Sequence, residues 1–507
     1  MAASIFVPAD DTPYNAGEHM LEAAVRTGVR ARIRCAGTTL TGAALVEHAL
    51  AAQVALAGAG LEPGERVLLV LRDTPLFHAA FLGALRGGFV PVPISTLLPA
   101  KDVAFIARDC DARAVVADVE LPAELGALPR IDDAVALPRV AAANGLGAAP
   151  AAAPTRAGDV AFFLYTSGTT GEPKGVVHRH VDLPVTAARY AQPVLGLCDG
   201  DRVLSAAKLF FAYGLGNSLT FPLLCGAEVV LCPERPTPEA IFALLREAEP
   251  TVFFGVPTLY AAMLAHPELP TTLGPVRLCV SAGEALPAPL WQRWLERFGV
   301  EILDGLGSTE MLHIFVSNRP GAVRPGSSGT PVDGYRVRVV DDEDRDVAPG
   351  EIGALVAHGA SAALRYHARP ETSARTMFAP GWLRTGDSYR READGTLWHV
   401  GRSDDLMKVS GQYVSPVEVE SALAAHEAVV EAAVVADRDP HGLVKPRAFV
   451  VLASAARASD GLARELQEFV KARLSPHKYP RRVDFVDELP KTATGKIRRH
   501  VLREKSG

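Results

Sequence analysis

Apolar and polar residues alternate along this chain in two rhythms. Short unbroken apolar runs, which read as strands buried on both faces, are separated by longer segments of helical spacing. Between residues 38 and 118 the runs are Arg66–Leu71 (RVLLVL), Val90–Ile94 and Ala114–Ala117, and the helix-like segments are Leu45–Ala57 and Thr74–Arg86. A second series follows with Val160–Leu164, Arg202–Ser205, Glu228–Leu231, Thr251–Gly255 and Arg277–Ser281. Such alternation predicts parallel sheets covered by helices. Residues 119–158, rich in Ala, Leu and Pro, read as a variable connection. Residues 336–340 and 352–357 read as strands of a smaller β unit, with Asp341–Asp346 as its acidic turn.

The pattern changes after Leu397–Val400, the last run of the strand-and-turn region. Gly401–Asp405 (GRSDD) holds no apolar residue. Beyond it Pro416–Ala425 and Leu462–Leu474 read as helices, and Val429–Ala436, Ala448–Leu452 and Arg482–Val486 as strands. A domain over 1–402 and a second over 403–507 are therefore expected. The charged boundary suits a hinge between rotating domains, although these five residues taken alone read rather as a plain solvated turn. The fold class expected is α/β and multidomain, with an α+β C-terminal part.

Bulk properties narrow the class. A chain of 507 residues exceeds one core. A net charge of −6 argues against a nucleic-acid binder, and the basic cluster Lys496–Arg499 is too short to change that. Six scattered cysteines without a C-x-x-C pair read as buried thiols of a reducing compartment. Asp10 and Asp11 stand where a signal peptide needs its apolar region, and Val203–Cys232, the richest apolar span, is broken by Lys208, Asn217 and Glu228. The expectation is a cytoplasmic protein with no membrane or nucleic-acid partner.

Chemistry enters at Tyr165–Gly175 (YTSGTTGEPKG), directly after the apolar run Val160–Leu164. Glycines let backbone N–H groups approach a phosphate, hydroxyls add donors, and Lys174 adds positive charge. It is not a Walker loop, because G-x-x-x-x-G-K-S/T occurs nowhere in the chain. The segment resembles the phosphate loop of the adenylate-forming superfamily, which includes acyl-CoA synthetases, luciferase and peptide-synthetase adenylation domains. Further segments match in the same order: Asp304–Glu310 (DGLGSTE), Thr385–Asp387 (TGD), Arg402 within GRSDD, and Pro490–Arg498 (PKTATGKIR). Each alone reads as a turn, a helix start or a solvated tail; together they cover essentially the whole chain.

The resemblance implies a site. Thr166, Ser167, Gly168, Thr169, Thr170, Gly171 and Lys174 would hold the phosphates of ATP. Asp304 and Gly305 would face the nucleotide, and Asp387 and Arg402 its ribose. Thr309 and Glu310 would serve the reaction directly, Glu310 as a ligand of Mg²⁺, since a hard cation takes oxygen donors. Lys496 would bridge the acid and the α-phosphate during adenylation. Asp404 would be the hinge of a rotating C-terminal domain. Gly411 would line the coenzyme A tunnel, and Lys445 and Arg447 (within KPR) are either contacts of its phosphates or a surface basic cluster.

The acid is read from Lys208–Asn217 (KLFFAYGLGN), where a domain for α-amino acids keeps an aspartate and this chain has Ala212 and Tyr213. FFAYGLGN, Ser281–Pro287 (SAGEALP) and Gly305–Asn318 (GLGSTEMLHIFVSN) resemble the benzoate-CoA ligase branch. By that likeness Ala212, Tyr213, Ala282, Gly307, His313 and Ile314 form the ring pocket; without it, Tyr213 and His313 read as packing residues. The function implied is an ATP-dependent aryl-CoA ligase for benzoate or a hydroxy- or aminobenzoate, acting as monomer or homodimer. The alternative is a stand-alone aryl-adenylating enzyme that loads a carrier protein, and no phosphopantetheine site is present in the chain itself.

Overall fold

The computed structural model describes residues 4–26, 31–126, 128–132, 150–166, 172–403, 405–409, 412–439, 443–453, 456–491 and 497–504. Its largest sheet has nine strands. Ile302–Gly307, Leu278–Ser281, Val252–Gly255, Arg202–Ser205, Glu228–Val230 and Ala31–Cys35 lie parallel in that order, and antiparallel strands finish both edges. Val252–Gly255 and Leu278–Ser281 are buried along their whole length, as their unbroken apolar text requires. A second sheet is all-parallel, in the order Val90–Pro93, Arg66–Val70, Ala112–Ala117 and Arg130–Asp132. The helix Pro75–Arg86 beside it buries every residue from Leu76 to Arg86.

A four-stranded antiparallel sheet takes Arg336–Val340, Ile352–His358, Trp382–Arg391 and Leu397–Arg402. Beyond it, Val429–Arg438, Val444–Leu452 and Arg482–Phe485 form a separate sheet, with the helices Pro416–Ala424 and Asp460–Lys471 against it. Met407, Val419, Leu423, Val434, Leu466 and Val470 give this part an apolar cluster of its own. The architecture is α/β and multidomain.

Several details differ from the sequence reading. Ala31–Cys35 and Thr38–Thr41 form a hairpin that the apolar pattern does not reveal, and they extend the distant nine-stranded sheet, not the nearby one. Residues 119–158 contribute the strand Arg130–Asp132 before passing beyond the described part. The strand after Thr396 runs on to Arg402, two residues beyond Val400. Cys198 is exposed and Cys225 half-buried, so only four of the six free thiols lie inside as expected. No helix among the described residues is long and apolar enough to cross a membrane.

Candidate active site

Val160–Thr166 and Lys174–Arg179 pair antiparallel, with Thr166 opposite Lys174. The two ends of the phosphate-loop segment therefore lie on paired neighbouring strands. Ser167, Gly168, Thr169, Thr170 and Gly171 lie outside the described residues; Thr166 and Lys174 stand at its two feet, on the wall of a cavity of about 750 Å³. Lys174 Nζ lies 5.6 Å from the ring centre of Tyr366.

The strand Ile302–Gly307 carries the acidic segment to the same cavity. It ends in a tight turn: Ser308 Oγ accepts from Met311 N at 3.1 Å, the Thr309 carbonyl accepts from Leu312 N at 3.0 Å, and Leu312 takes φ 66°. A leucine with positive φ is strained and persists only where its surroundings fix it. They do here. The Glu310 carbonyl accepts from Ala363 N at 2.8 Å, Ser361 Oγ donates to the Met311 carbonyl at 2.9 Å, and His178 Nε2 lies 2.8 Å from the Thr309 carbonyl. His178 is in turn fixed by Asp182 Oδ2, 2.9 Å from Nδ1, and by the ring of Phe162 stacked on it at 5.1 Å. Tyr366 donates its phenol proton to Glu310 Oε1 at 2.7 Å, and burial together with that carboxylate pushes its pKa far up.

Asp304 is 4% exposed, and burial raises its pKa to about 8. Its Oδ2 accepts from Leu286 N at 3.3 Å, while Oδ1 has no hydrogen-bond partner among the described residues. A carboxyl so placed is largely protonated near neutrality.

Across the cavity, neighbouring strands set Asp387 opposite Arg402 in direct register, with NH1 to Oδ1 at 3.2 Å. Arg402 also donates to the Thr385 carbonyl at 3.2 Å. Gly386, at φ 75°, allows this pairing, because a Cβ there would come within 2.8 Å of Arg402 NH2. Glu420, Ile497 and Arg499 are among the residues that the C-terminal part adds to the wall. Lys496 and Asp404 lie outside the described residues.

Of the six ring-pocket residues, Gly307 lines the cavity. Behind it Ala212, Ala282, His313 and Ile314 are buried and Tyr213 is half-buried. His313, 2% exposed, is enclosed by the rings of Phe221 at 4.4 Å, Tyr190 at 5.5 Å and Tyr213 at 5.5 Å. Burial lowers its pKa to about 3, so the imidazole is neutral. Nε2 meets Asn217 Oδ1 at 3.1 Å, and Nδ1 has no hydrogen-bond partner among the described residues.

The coenzyme A expectations fare unevenly. Gly411 lies outside the described residues, and Lys445 Nζ stands 3.8 Å from Asp439. Arg447 is 4% exposed, donates to Asp484 at 2.7 Å, lies 3.7 Å from Asp437 and packs on Phe449. Two carboxylates thus stand beside its guanidinium within the fold. Sequence reasoning also missed Tyr366, His178 with Asp182, and Glu284, whose Oε1 accepts from Ile497 N at 3.0 Å. Their partners stand 131 and 213 residues away for His178 and Glu284, a separation no local motif encodes.

The chain matches two families: AMP-binding enzyme over residues 21–367, and AMP-binding enzyme C-terminal domain over residues 418–496. It is 52% identical to benzoate–CoA ligase of Thauera aromatica over 458 residues, 88% of this chain and 86% of that protein. Among solved structures it is similar to a benzoate CoA ligase from Burkholderia xenovorans LB400, at TM-score 0.90 and 47% identity, covering 97% of this chain and 100% of the other. It is also similar to the anthranilate CoA ligase AuaEII in complex with anthranoyl-AMP, at TM-score 0.92 and 39% identity, covering 97% of each chain.

Proposed function

The chain belongs to the AMP-binding enzyme family, and from that premise we propose that it is an ATP-dependent aryl-CoA ligase. It converts benzoate, or a hydroxy- or aminobenzoate, to its CoA thioester and releases AMP and pyrophosphate. The observation that carries this reading is the convergence of Thr166, Lys174, Thr309, Glu310, Asp387 and Arg402 on one cavity, in a chain 52% identical to a benzoate–CoA ligase.

The reaction has two halves. In the first, a carboxylate oxygen of the acid attacks the α-phosphorus of ATP; the bond to the β-phosphate oxygen breaks, and pyrophosphate leaves an aryl-adenylate. In the second, the thiol of coenzyme A attacks the carbonyl carbon of that mixed anhydride, loses its proton and expels AMP. Lys174 and the loop after Thr166 bind the phosphates. Asp387, oriented by Arg402, accepts from the ribose hydroxyls, and Asp304 and Gly305 face the nucleotide. Lys496 balances the charge that gathers on the α-phosphate oxygens in the first transition state.

Glu310 has one carboxylate oxygen engaged by Tyr366, and with the Thr309 hydroxyl it offers hard oxygen donors on the cavity wall. That set suits Mg²⁺, which takes one or two carboxylates plus phosphate oxygens and, when bound, neutralises phosphate charge. The aromatic acid lies beyond Gly307, against Tyr213, Ala212, Ala282, His313 and Ile314. The flat face of Tyr213 and the two small alanines suit a planar ring. Residues 403–507, with a core of their own, turn about Asp404 between the halves and bring Gly411 and Lys445 toward coenzyme A.

The test is AMP release with ATP, Mg²⁺ and coenzyme A across benzoate, the hydroxybenzoates, 2-aminobenzoate, cinnamate, acetate and octanoate. Preference for benzoate or a small substituted benzoate is expected; turnover with aliphatic acids alone would overturn the aryl assignment. Lys496→Ala is expected to abolish adenylation and largely spare thioester formation from supplied aryl-adenylate. Equal loss of both halves would refute that role.

A further inference from the structure

Ile497, the residue directly after Lys496, donates its backbone N–H to Glu284 Oε1 at 3.0 Å. Glu284 lies in the turn between the strand Leu278–Ser281 and the helix Ala288–Phe298, so it belongs to the large unit, whereas Ile497 belongs to the C-terminal part. Two charged contacts close to Ile497 lie within the C-terminal part. Arg499 NH2 meets both oxygens of Glu420 at 2.8 Å, and Arg503 pairs with Asp405. Those pairs travel with the unit whichever way it faces. They hold the segment together without distinguishing one orientation from another. The Glu284 bond crosses between the units, one residue from Lys496, and it must break whenever the C-terminal part turns away. The Glu284 carboxylate also adds negative charge at the Arg499 guanidinium, so its preference for this segment is electrostatic as well as directional.

We propose that Glu284 is a positioning residue for the first half-reaction only: through Ile497 it fixes the C-terminal part in the orientation that adenylation uses, and it has no part in thioester formation. This rests on the adenylation role given to Lys496 above. A side chain that acts in one orientation shifts the balance between the two, and its effect is confined to the half that uses that orientation.

The experiment uses the full-length protein and two variants, Glu284→Ala and Glu284→Gln, with benzoate-dependent ATP–pyrophosphate exchange for the first half and thioester formation from supplied benzoyl-adenylate and coenzyme A for the second. Glu284→Ala is expected to lower the kcat of exchange by about tenfold or more, the scale of one charge-assisted hydrogen bond. The KM for ATP and the rate of the second half should stay within about twofold, which is below the scale of that bond. Glu284→Gln keeps an oxygen that accepts from Ile497 N but not the charge, and is expected to restore part of the exchange rate, which a merely structural defect would not allow. A raised KM for ATP at unchanged kcat would make Glu284 a nucleotide contact and overturn the proposal. Equal loss of both halves, or no loss in either, would overturn it too. A wild-type protein without acid-dependent exchange would refute the ligase reading itself, and that is seen before any variant is measured.

Discussion

At Asp304 the strand Ile302–Gly307 carries a carboxyl group into a wall where water barely reaches it, and the cost of charging it there raises its pKa from 3.8 to about 8. The folded state thus holds this proton more tightly than the unfolded chain does. The sign follows: the contribution to stability is complete below pH 3.8 and is lost as pH rises toward about 8. Asp304→Asn, of the same shape and without the charge, is expected to remove that slope, so the variant gains on the wild type as pH rises through this window and runs parallel to it above. Thermal melts of both proteins between those limits check this; equal slopes would show that the carboxyl is charged throughout. The residues of the site divide by how they were readable. Thr166 and Lys174 stand in a segment whose composition already suggests phosphate chemistry, whereas Thr309, Glu310, Asp387 and Arg402 stand in short motifs that only the family resemblance singles out. Tyr366 and His178 stand in neither, because a lone tyrosine or histidine beside a strand has no signature until the chain folds its partner against it.

Elements explain why the ring-pocket residues sit as they do. Between the helices Ala212–Leu215 and Phe221–Cys225 the chain widens into a π-helical turn, Gly216–Thr220, which presents Asn217 to His313. A Cβ at Gly216 would meet His313 Cδ2 at 2.3 Å, so the imidazole occupies the space a side chain would need. Gly216→Ala is therefore expected to cost about 1–3 kcal/mol. It should also displace His313 from Asn217 and raise the KM for the aromatic acid with little change in that for ATP. Urea denaturation and the two KM values read these effects, and an unchanged KM for the acid would separate His313 from the pocket. Most strands and helices were legible because a continuous apolar run has one stable environment, the middle of a covered sheet. The hairpin Ala31–Thr41 was not, since short half-polar edge strands take their place from the sheet they join, here one whose other strands begin at Arg202.

For the whole molecule, the decisive fact is that residues after Asp405 bury a core apart from the rest, yet Glu420, Ile497 and Arg499 complete the cavity of the larger unit. Leu466 is fully buried in that second core. Leu466→Ala is expected to cost about 2–5 kcal/mol. The loss should appear in calorimetry as a lowered transition of the C-terminal part, while the transition of the larger unit keeps its temperature. A uniform shift of a single transition would mean that the parts melt as one. The expected boundary is marked in the sequence by a charged stretch without apolar residues; which contacts cross it was not legible, since these depend on two folded surfaces meeting. A wall supplied by a tethered neighbour is also a ligand that never leaves. The strand ending at Arg402 and the strand Met407–Val409 hold it close, at an effective concentration on the order of millimolar. Were the chain severed between them, closing the cavity would become a bimolecular encounter, and turnover would rise and fall with the amount of the second fragment, as it does for a dissociable subunit.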